Sequence, residues 1–381
     1  MLPRDRQFCL ADKSVELIEA AGALRGMLQP ELREELGKLV RSLDCHYSNG
    51  IEGVWIDPVD IESAGSGTWK VPLEAVAHVA VQGKIDRSEA PSPCGSGEFA
   101  RWVHRELCGR LPEDLLWMEN PDSGKRTKVI PGEFREHEVV VGRHLAPPAQ
   151  DLEGLMKRFE AAYGRVNVPP PYRCVSVAAA HHRFLWIHPF GDGNGRVARL
   201  MSHGMLKEWG LGSELWSVSR GLARNVEEYK RRLGDADSPR RGDYDGRGAL
   251  SEEGLARFCE FFLDVCIDQV RFMQSMLRPE GLLARVRIWC DEEVAVGRLH
   301  KEAWKLLREA ILAGSFARGR AGEITGYQER RGRAVLNELV ERGVLVSDGP
   351  KGAVRLGFPV EVVVRWIPTL YPAKVGVSVG A

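Results

Sequence analysis

Apolar residues recur at helical spacing through most of this chain. From Lys13 to Met27 they lie three or four positions apart, and Pro30 opens a second apolar period that continues to Leu43. The same spacing predicts helices from Asp151 to Tyr163 and from Glu252 to Leu277. We therefore expect a mainly α-helical fold.

A β-branched run interrupts this helical pattern. Val139, Val140 and Val141 follow one another directly and are followed by Gly142, which is typical of a β-hairpin. The sequence therefore predicts one small hairpin within an otherwise helical region.

The C-terminal part, residues 279–381, has a different pattern. Three helical segments precede two short apolar strands that are joined by an Asp-Gly-Pro turn, which is similar to a winged helix-turn-helix module. Arg330, Arg331 and Arg333 cluster at the start of the third helix, where such modules contact DNA. Because a fold does not assign a function, the pattern leaves both DNA binding and protein docking open.

Composition narrows the class of protein. Basic and acidic residues number 53 each, so the 381-residue chain carries no net basic signal for nucleic acid. The eight cysteines include no Cys-x-x-Cys pair, which predicts reduced thiols and a cytoplasmic protein. Because no apolar run reaches about 18 residues, we expect no membrane partner.

The candidate chemistry lies in residues 188–199, HPFGDGNGRVAR. This string follows a predicted helix at 175–187 and opens an amphipathic helix, so it is a loop that leads into a helix N-terminus. The unpaired N–H groups and the dipole of such an N-terminus favour phosphate. Gly193 and Gly195 lack Cβ atoms, so phosphate oxygens can approach the backbone closely.

Charged residues in the same string add to this interpretation. Arg196 and Arg199 share a helix face, and guanidinium groups bind phosphate through forked hydrogen bonds. Asp192 offers a hard oxygen ligand suited to Mg²⁺, and His188 can accept a proton near neutral pH. Each feature alone is common in purely structural turns, but their combination predicts a catalytic site for a phosphate compound.

The string resembles the motif of the Fic family, HxFx(D/E)GN(G/K)RxxR, and matches it at every fixed position. The resemblance implies an adenylyltransferase that transfers AMP from ATP to a Ser, Thr or Tyr hydroxyl of a protein, including itself. By resemblance, His188 would be the general base, Asp192 the Mg²⁺ ligand, Gly193, Asn194 and Gly195 the anion hole for the α-phosphate, and Arg196 and Arg199 the ligands of the β- and γ-phosphates.

A second string, SNGIEG at residues 48–53, resembles the inhibitory motif (S/T)xxxE(G/N) of the same family. The resemblance implies that Glu52, with Ser48 on the same helix face, reaches Arg199 and takes the place of the γ-phosphate. Some relatives use this glutamate to remove AMP, so a de-AMPylating or bifunctional enzyme is the alternative. Gly50 weakens a helix, and Asn-Gly is a turn signal, so we expect this turn to fray easily.

The resemblance implies two further roles. The hairpin at Val139, Val140 and Val141 would be a flap that holds the target segment as an added strand; the alternative is a purely structural hairpin. Tyr229 would contact adenine; the alternative is a core aromatic residue. A family member that acts as a kinase carries lysine where this chain has Gly195, which argues against that activity.

These features divide the chain into three predicted parts. Residues 1–110 form an N-terminal helical region with the inhibitory segment, 111–278 a Fic catalytic core with its hairpin flap, and 279–381 the winged-helix-like module. The expected partners are ATP with Mg²⁺ and a protein target, and a homodimer and DNA stay open. A hypothesis of another class is a DNA-binding regulator whose Fic domain acts as a sensor.

Overall fold

The computed structural model describes residues 3, 7–63, 72–119, 124, 126–142, 144–164 and 168–372. Helices dominate these residues, as the apolar spacing predicts, and the strands form only small sheets. None of the described helices is both long and apolar enough to cross a membrane.

The helices of the first half surround the motif loop. They are α1 (Gln7–Gly26), α2 (Pro30–Ile51), α3 (Pro58–Ser63), α4 (Leu73–Asp86), α5 (Gly97–Cys108), α6 (Leu152–Tyr163), α7 (Pro170–Ile187) and α8 (Asn194–Glu208). Helix α3 was not predicted from the sequence, and residues 64–71 that follow it are outside the described residues. Helix α6 agrees with its predicted bounds within one residue, whereas α1, α2 and α7 extend five to eight residues beyond theirs.

A second group of helices closes the core. It comprises α9 (Val218–Arg224), α10 (Val226–Asp237), α11 (Glu252–Leu277) and α12 (Pro279–Ala295). Helix α11 packs against α1, α7, α9 and α10. The residues on its apolar face are buried: Leu255, Phe258, Phe262, Val265 and Cys266. The core therefore forms around α11, with α7 packed on it and α8 packed on α7.

Two antiparallel hairpins lie between α5 and α6. The second pairs β3 (Val140–Val141) with β4 (His144–Leu145) and confirms the predicted hairpin. The first pairs β1 (Trp117–Glu119) with β2 (Arg126–Lys128) and was not predicted. Its strands have three residues each, which is too short for an alternating pattern to stand out.

The C-terminal elements follow the predicted order of three helices and a hairpin, with one additional strand and one additional helix. They are α13 (Ala303–Ala313), β5 (Ser315–Ala317), α14 (Ala321–Thr325), α15 (Glu329–Glu341), β6 (Leu345–Val346), β7 (Ala353–Leu356) and α16 (Val360–Trp366). The sheet order is β5-β7-β6. In α15, Arg333 pairs with Glu329 and Arg331 covers the Tyr327 ring. The winged-helix assignment and DNA binding stay predictions.

The C-terminal elements are attached to α2. The Arg355 guanidinium lies 2.6 Å from the Glu35 carboxylate, and both side chains are buried. Further along α2, the Tyr47 hydroxyl donates to the Leu370 carbonyl at 2.9 Å. Helix α2 is thus held near both of its ends.

Candidate active site

The motif loop begins and ends at residues with positive φ. Helix α7 ends at Ile187, and His188 adopts a left-handed conformation with φ +50°, which histidine tolerates better than most residues. Gly193 has φ +76° and leads into α8. The Asn194 side chain both accepts from the Phe190 N–H at 3.0 Å and donates to its carbonyl at 2.9 Å. The Asn194 amide therefore holds the loop in its conformation.

His188 is suited to accept a proton. Its side chain is half-buried, and burial lowers its pKa to about 4, with Arg135 and His144 acting in the same direction. The imidazole is therefore neutral near pH 7, which is the form that a general base requires.

Arg135 is a site residue that sequence reasoning missed. It is buried, and its guanidinium donates to the carbonyls of His188 at 2.8 Å, His137 at 2.7 Å and Pro147 at 2.6 Å. These three bonds join the base of the β3–β4 hairpin to the motif turn. An isolated arginine before a predicted hairpin gives no signal of such a role.

Arg196 and Asp192 lie together at the mouth of the loop. The Asp192 side chain is 60% exposed, and its carboxylate lies 3.3 Å from the Arg196 guanidinium. The Nε atom of Arg196 is buried and has no hydrogen-bond partner among the described residues. Because an arginine donor rarely stays unpaired, this group fits an anionic ligand. An exposed carboxylate beside a phosphate site also fits Mg²⁺, which usually takes one or two carboxylates and completes its shell with phosphate oxygens and water.

Arg199, the second motif arginine, is held by the end of α2. Its Nε donates to the Ser48 hydroxyl at 2.8 Å, and its Nη2 donates to the Ser48 carbonyl at 2.9 Å. The same Nη2 lies 2.6 Å from the Glu52 carboxylate. The structure thus brings together the three residues that the resemblance linked, although they are about 150 positions apart in the chain.

Glu52 is the C-cap of α2, and the chain after it is held by backbone bonds. The Val54 N–H donates to the Asn49 carbonyl and the Gly53 N–H to the Gly50 carbonyl, each at 3.0 Å, which is a Schellman ending with Gly53 at φ +90°. The helix runs through Gly50 to Ile51, and easy fraying of this turn stays a prediction. A Cβ on Gly50 would overlap the Trp55 ring, which explains why glycine fits at this helical position.

The Glu52 carboxylate lies against the N-terminus of α8. A Cβ on Gly195 would overlap its Oε1 atom, so only glycine permits this approach. Burial acts to raise the pKa of Glu52, but the charge and hydrogen bond of Arg199, with Arg196 and Lys230, outweigh it and lower the pKa. An ionised carboxylate therefore occupies the anion-binding end of the helix.

Tyr229 lies in the core. It is buried, and its hydroxyl is 2.7 Å from Nε2 of His181 on α7. The same hydroxyl interacts with Arg199 of the motif, so contact with adenine and the alternative of a core aromatic residue both stay predictions.

The flap residues differ in exposure. Val139 is buried, whereas Val140 and Val141 are exposed. A cleft of about 660 Å³ lies beside the hairpin and is lined by Leu145, Pro147, Leu155, Arg158 and Trp186 among others. The exposed strand β3 and this cleft are thus both close to the motif loop.

Comparison with known proteins identifies the domain that carries this loop. The family model for the Fic/DOC family matches residues 97–206, from the start of α5 to the end of the motif helix. Residues 97–206 form a Fic domain.

Curated relatives match a part of the chain of similar length. The chain is 40% identical over 101 residues to "Protein adenylyltransferase Fic" of Culex quinquefasciatus and 36% identical over 113 residues to that of Drosophila virilis. These matches cover 26% and 29% of this chain, and 20% and 23% of the relatives. The chain therefore spans only about a fifth of the length of the curated relatives it matches.

A solved structure shares the fold over a longer span. A Fic family protein from Desulfovibrio desulfuricans G20 aligns with a TM-score of 0.52 at 20% identity, and the alignment covers 90% of this chain and 95% of that one. At this identity the likeness shows the fold alone. It extends the mainly α-helical Fic architecture well beyond the Fic domain itself.

Proposed function

We propose that this protein transfers AMP from ATP to a hydroxyl group of a protein target and that Glu52 inhibits the transfer in the same chain. The observation that carries the proposal is the ionised Glu52 carboxylate on Arg199 at the glycine-rich N-terminus of α8. This end of the helix holds an anion, as a site for a triphosphate should. The curated relatives, named protein adenylyltransferases, suggest which triphosphate reaction follows.

The transfer step assigns a task to each motif residue. The target oxygen attacks the α-phosphorus, a bond forms between them, and the bond to the leaving pyrophosphate breaks. Neutral His188 takes the hydroxyl proton. Backbone N–H groups of 193–195 stabilise charge on the α-phosphate, while Arg196 and Arg199 hold the outer phosphates. Mg²⁺ held by Asp192 would neutralise phosphate charge.

Inhibition follows from competition for one guanidinium. Arg199 can pair with Glu52 or with an outer phosphate, and Glu52 also lies over Gly195, where the helix N–H groups are. ATP must therefore displace the carboxylate or bind with its phosphates shifted. The removal of AMP, in which Glu52 would orient a water molecule, is the alternative use of the same carboxylate.

The hairpin supplies a surface for the target segment. Val140 and Val141 are exposed, so an extended peptide can pair with this edge through main-chain bonds, which fix position with little sequence selection. Leu145 and Trp186 in the adjoining cleft offer apolar contact to a neighbouring side chain. We propose that this flap places the hydroxyl beside His188.

Transfer should be insensitive to pH across the range where histidine normally titrates. Because the pKa of His188 is lowered to about 4, the neutral base persists as the pH falls and is lost only near that value. The rate of Glu52→Gly protein at about pH 5.5 should stay close to its rate at neutral pH, whereas an ordinary histidine would retain about one tenth. A decline in the initial-rate profile centred near the ordinary histidine pKa would contradict this assignment.

Gly53→Ala should partly release the inhibition. Alanine at φ +90° costs about 1 kcal/mol in backbone strain, which weakens the Schellman ending that holds Glu52 and should raise self-modification about fivefold. Gly297→Ala is the matched control, because Gly297 also has positive φ after a helix and is likewise in open space. Equal rates for the two variants would argue against a role of this ending in inhibition.

Intact-mass analysis tests the proposed function. Wild-type protein and Glu52→Gly protein are incubated with ATP and Mg²⁺, and added mass equal to AMP is measured. We expect AMP on the variant and little on the wild type. If neither gains AMP but wild-type protein removes AMP from a modified substrate, the de-AMPylating alternative replaces the proposal.

A further inference from the structure

His104 on α5 lies against the motif loop although it belongs to no recognised motif. It is fully buried, and its ring stacks on Phe190 with centroids 3.9 Å apart and planes 6° apart. A Cβ on Gly193 would lie 3.7 Å from its Cδ2 atom, so the ring also contacts the turn that opens α8. One side chain therefore contacts the glycine-rich loop at two places.

The hydrogen bonds of His104 define where its proton lies. The Gly132 N–H, from the segment before the flap, donates to Nδ1 at 2.8 Å. Because Nδ1 accepts this bond, it carries no proton, and the ring proton is on Nε2. Nε2 lies near the Asp192 backbone carbonyl and 3.4 Å from the Cys108 thiol.

This arrangement constrains one peptide unit of the loop. The carbonyl of Asp192 and the N–H of Gly193 belong to the same planar trans peptide and point in opposite directions. A donor that holds the carbonyl toward His104 therefore turns the Gly193 N–H away from the ring. The same restraint limits the positions that the Asp192 side chain can reach.

We propose that His104 is a positioning residue of the nucleotide site, which presents the Gly193 N–H to the α-phosphate and the Asp192 carboxylate to Mg²⁺. The proposal rests on the proposed function for the identity of the nucleotide. It explains why α5, which contributes no motif residue, is packed directly on the loop. In this proposal His104 acts on the α-phosphate and Mg²⁺, whereas Arg196 and Arg199 hold the outer phosphates independently of it.

The test is His104→Phe in the Glu52→Gly background. Phenylalanine keeps the stack on Phe190 and removes both ring nitrogens. Without Mg²⁺, calorimetry should show an affinity for ATP within about threefold of that of the Glu52→Gly parent, because Arg196 and Arg199 are intact. The gain in affinity that Mg²⁺ gives the parent should be lost. The kcat for transfer should fall about 10- to 100-fold, since one donor to the developing charge is misplaced.

Cys108→Ala is the matched control, because it removes the thiol beside Nε2 and leaves the stack and the Gly132 bond in place. This control should keep the Mg²⁺-dependent gain. A folded His104→Phe protein with full kcat and an unchanged gain would overturn the proposal. A fall in kcat that is fully explained by a smaller fraction of protein able to bind ATP would also overturn it, because that result would indicate a structural role. If Glu52→Gly protein binds ATP but never adds AMP, the proposed function fails, while the calorimetric comparison still decides the role of His104.

Discussion

Replacing Glu52 with glycine should raise AMP transfer about 30-fold. The wild-type carboxylate is ionised and lies 2.6 Å from the Arg199 guanidinium, so it competes with an outer phosphate for the same group. If that contact favours the closed site by about 2 kcal/mol, only about 3% of molecules are open, and removing it opens nearly all of them. The rate of incorporation of α-labelled ATP into the protein measures the change.

Two companion variants isolate the cause of this increase. Glu89→Gly removes another acidic residue that pairs with an arginine just after a helix, and it should leave the rate unchanged because that pair is exposed. Glu52→Gln keeps the shape but loses the charge, so it should give an intermediate rate. Activation by Glu89→Gly as large as that by Glu52→Gly would show that the increase does not arise from Arg199.

Removing the imidazole of His188 should abolish the activity that Glu52→Gly reveals. General-base catalysis contributes about 10²- to 10⁴-fold, so His188→Ala in that background should lower kcat by about three orders of magnitude. The affinity for ATP should persist, because the phosphate ligands belong to α8. Initial rates at saturating ATP, together with calorimetric binding, measure both effects.

The conformation of His188 calls for a second replacement. Alanine at φ +50° is strained, so a loss of activity in His188→Ala could reflect a distorted turn. Asparagine tolerates this conformation but cannot act as the base, so His188→Asn should be equally inactive with a melting temperature closer to that of the parent. A folded His188→Asn protein that transfers AMP at the parental rate would remove His188 from its proposed role.

The parts of the site that could be predicted are those that lie close together in sequence. His188, Asp192 and Arg199 fall within one string of twelve residues, so the order of residues alone is enough to combine their chemistry. The pairing of Glu52 with Arg199 spans 147 positions, and only the family resemblance suggested it. Local pattern cannot show that two distant segments meet.

Other features depend on tertiary packing. Arg135 and His104 act through backbone groups of distant segments, and neither has a neighbour in sequence that reveals this. The Tyr229 hydroxyl is bonded to His181 in the core, although its position in the chain suggested the nucleotide. The Trp55 ring fills the space beside Gly50, a contact that local sequence could not show.

The most direct test is a crystal structure of the Glu52→Gly protein with a non-hydrolysable ATP analogue and Mg²⁺. Our account predicts that the outer phosphates lie on Arg196 and Arg199, with the α-phosphate at the N-terminus of α8 beside His188 and the metal ion on Asp192. A nucleotide bound elsewhere, with Arg199 still held only by Ser48, would contradict it.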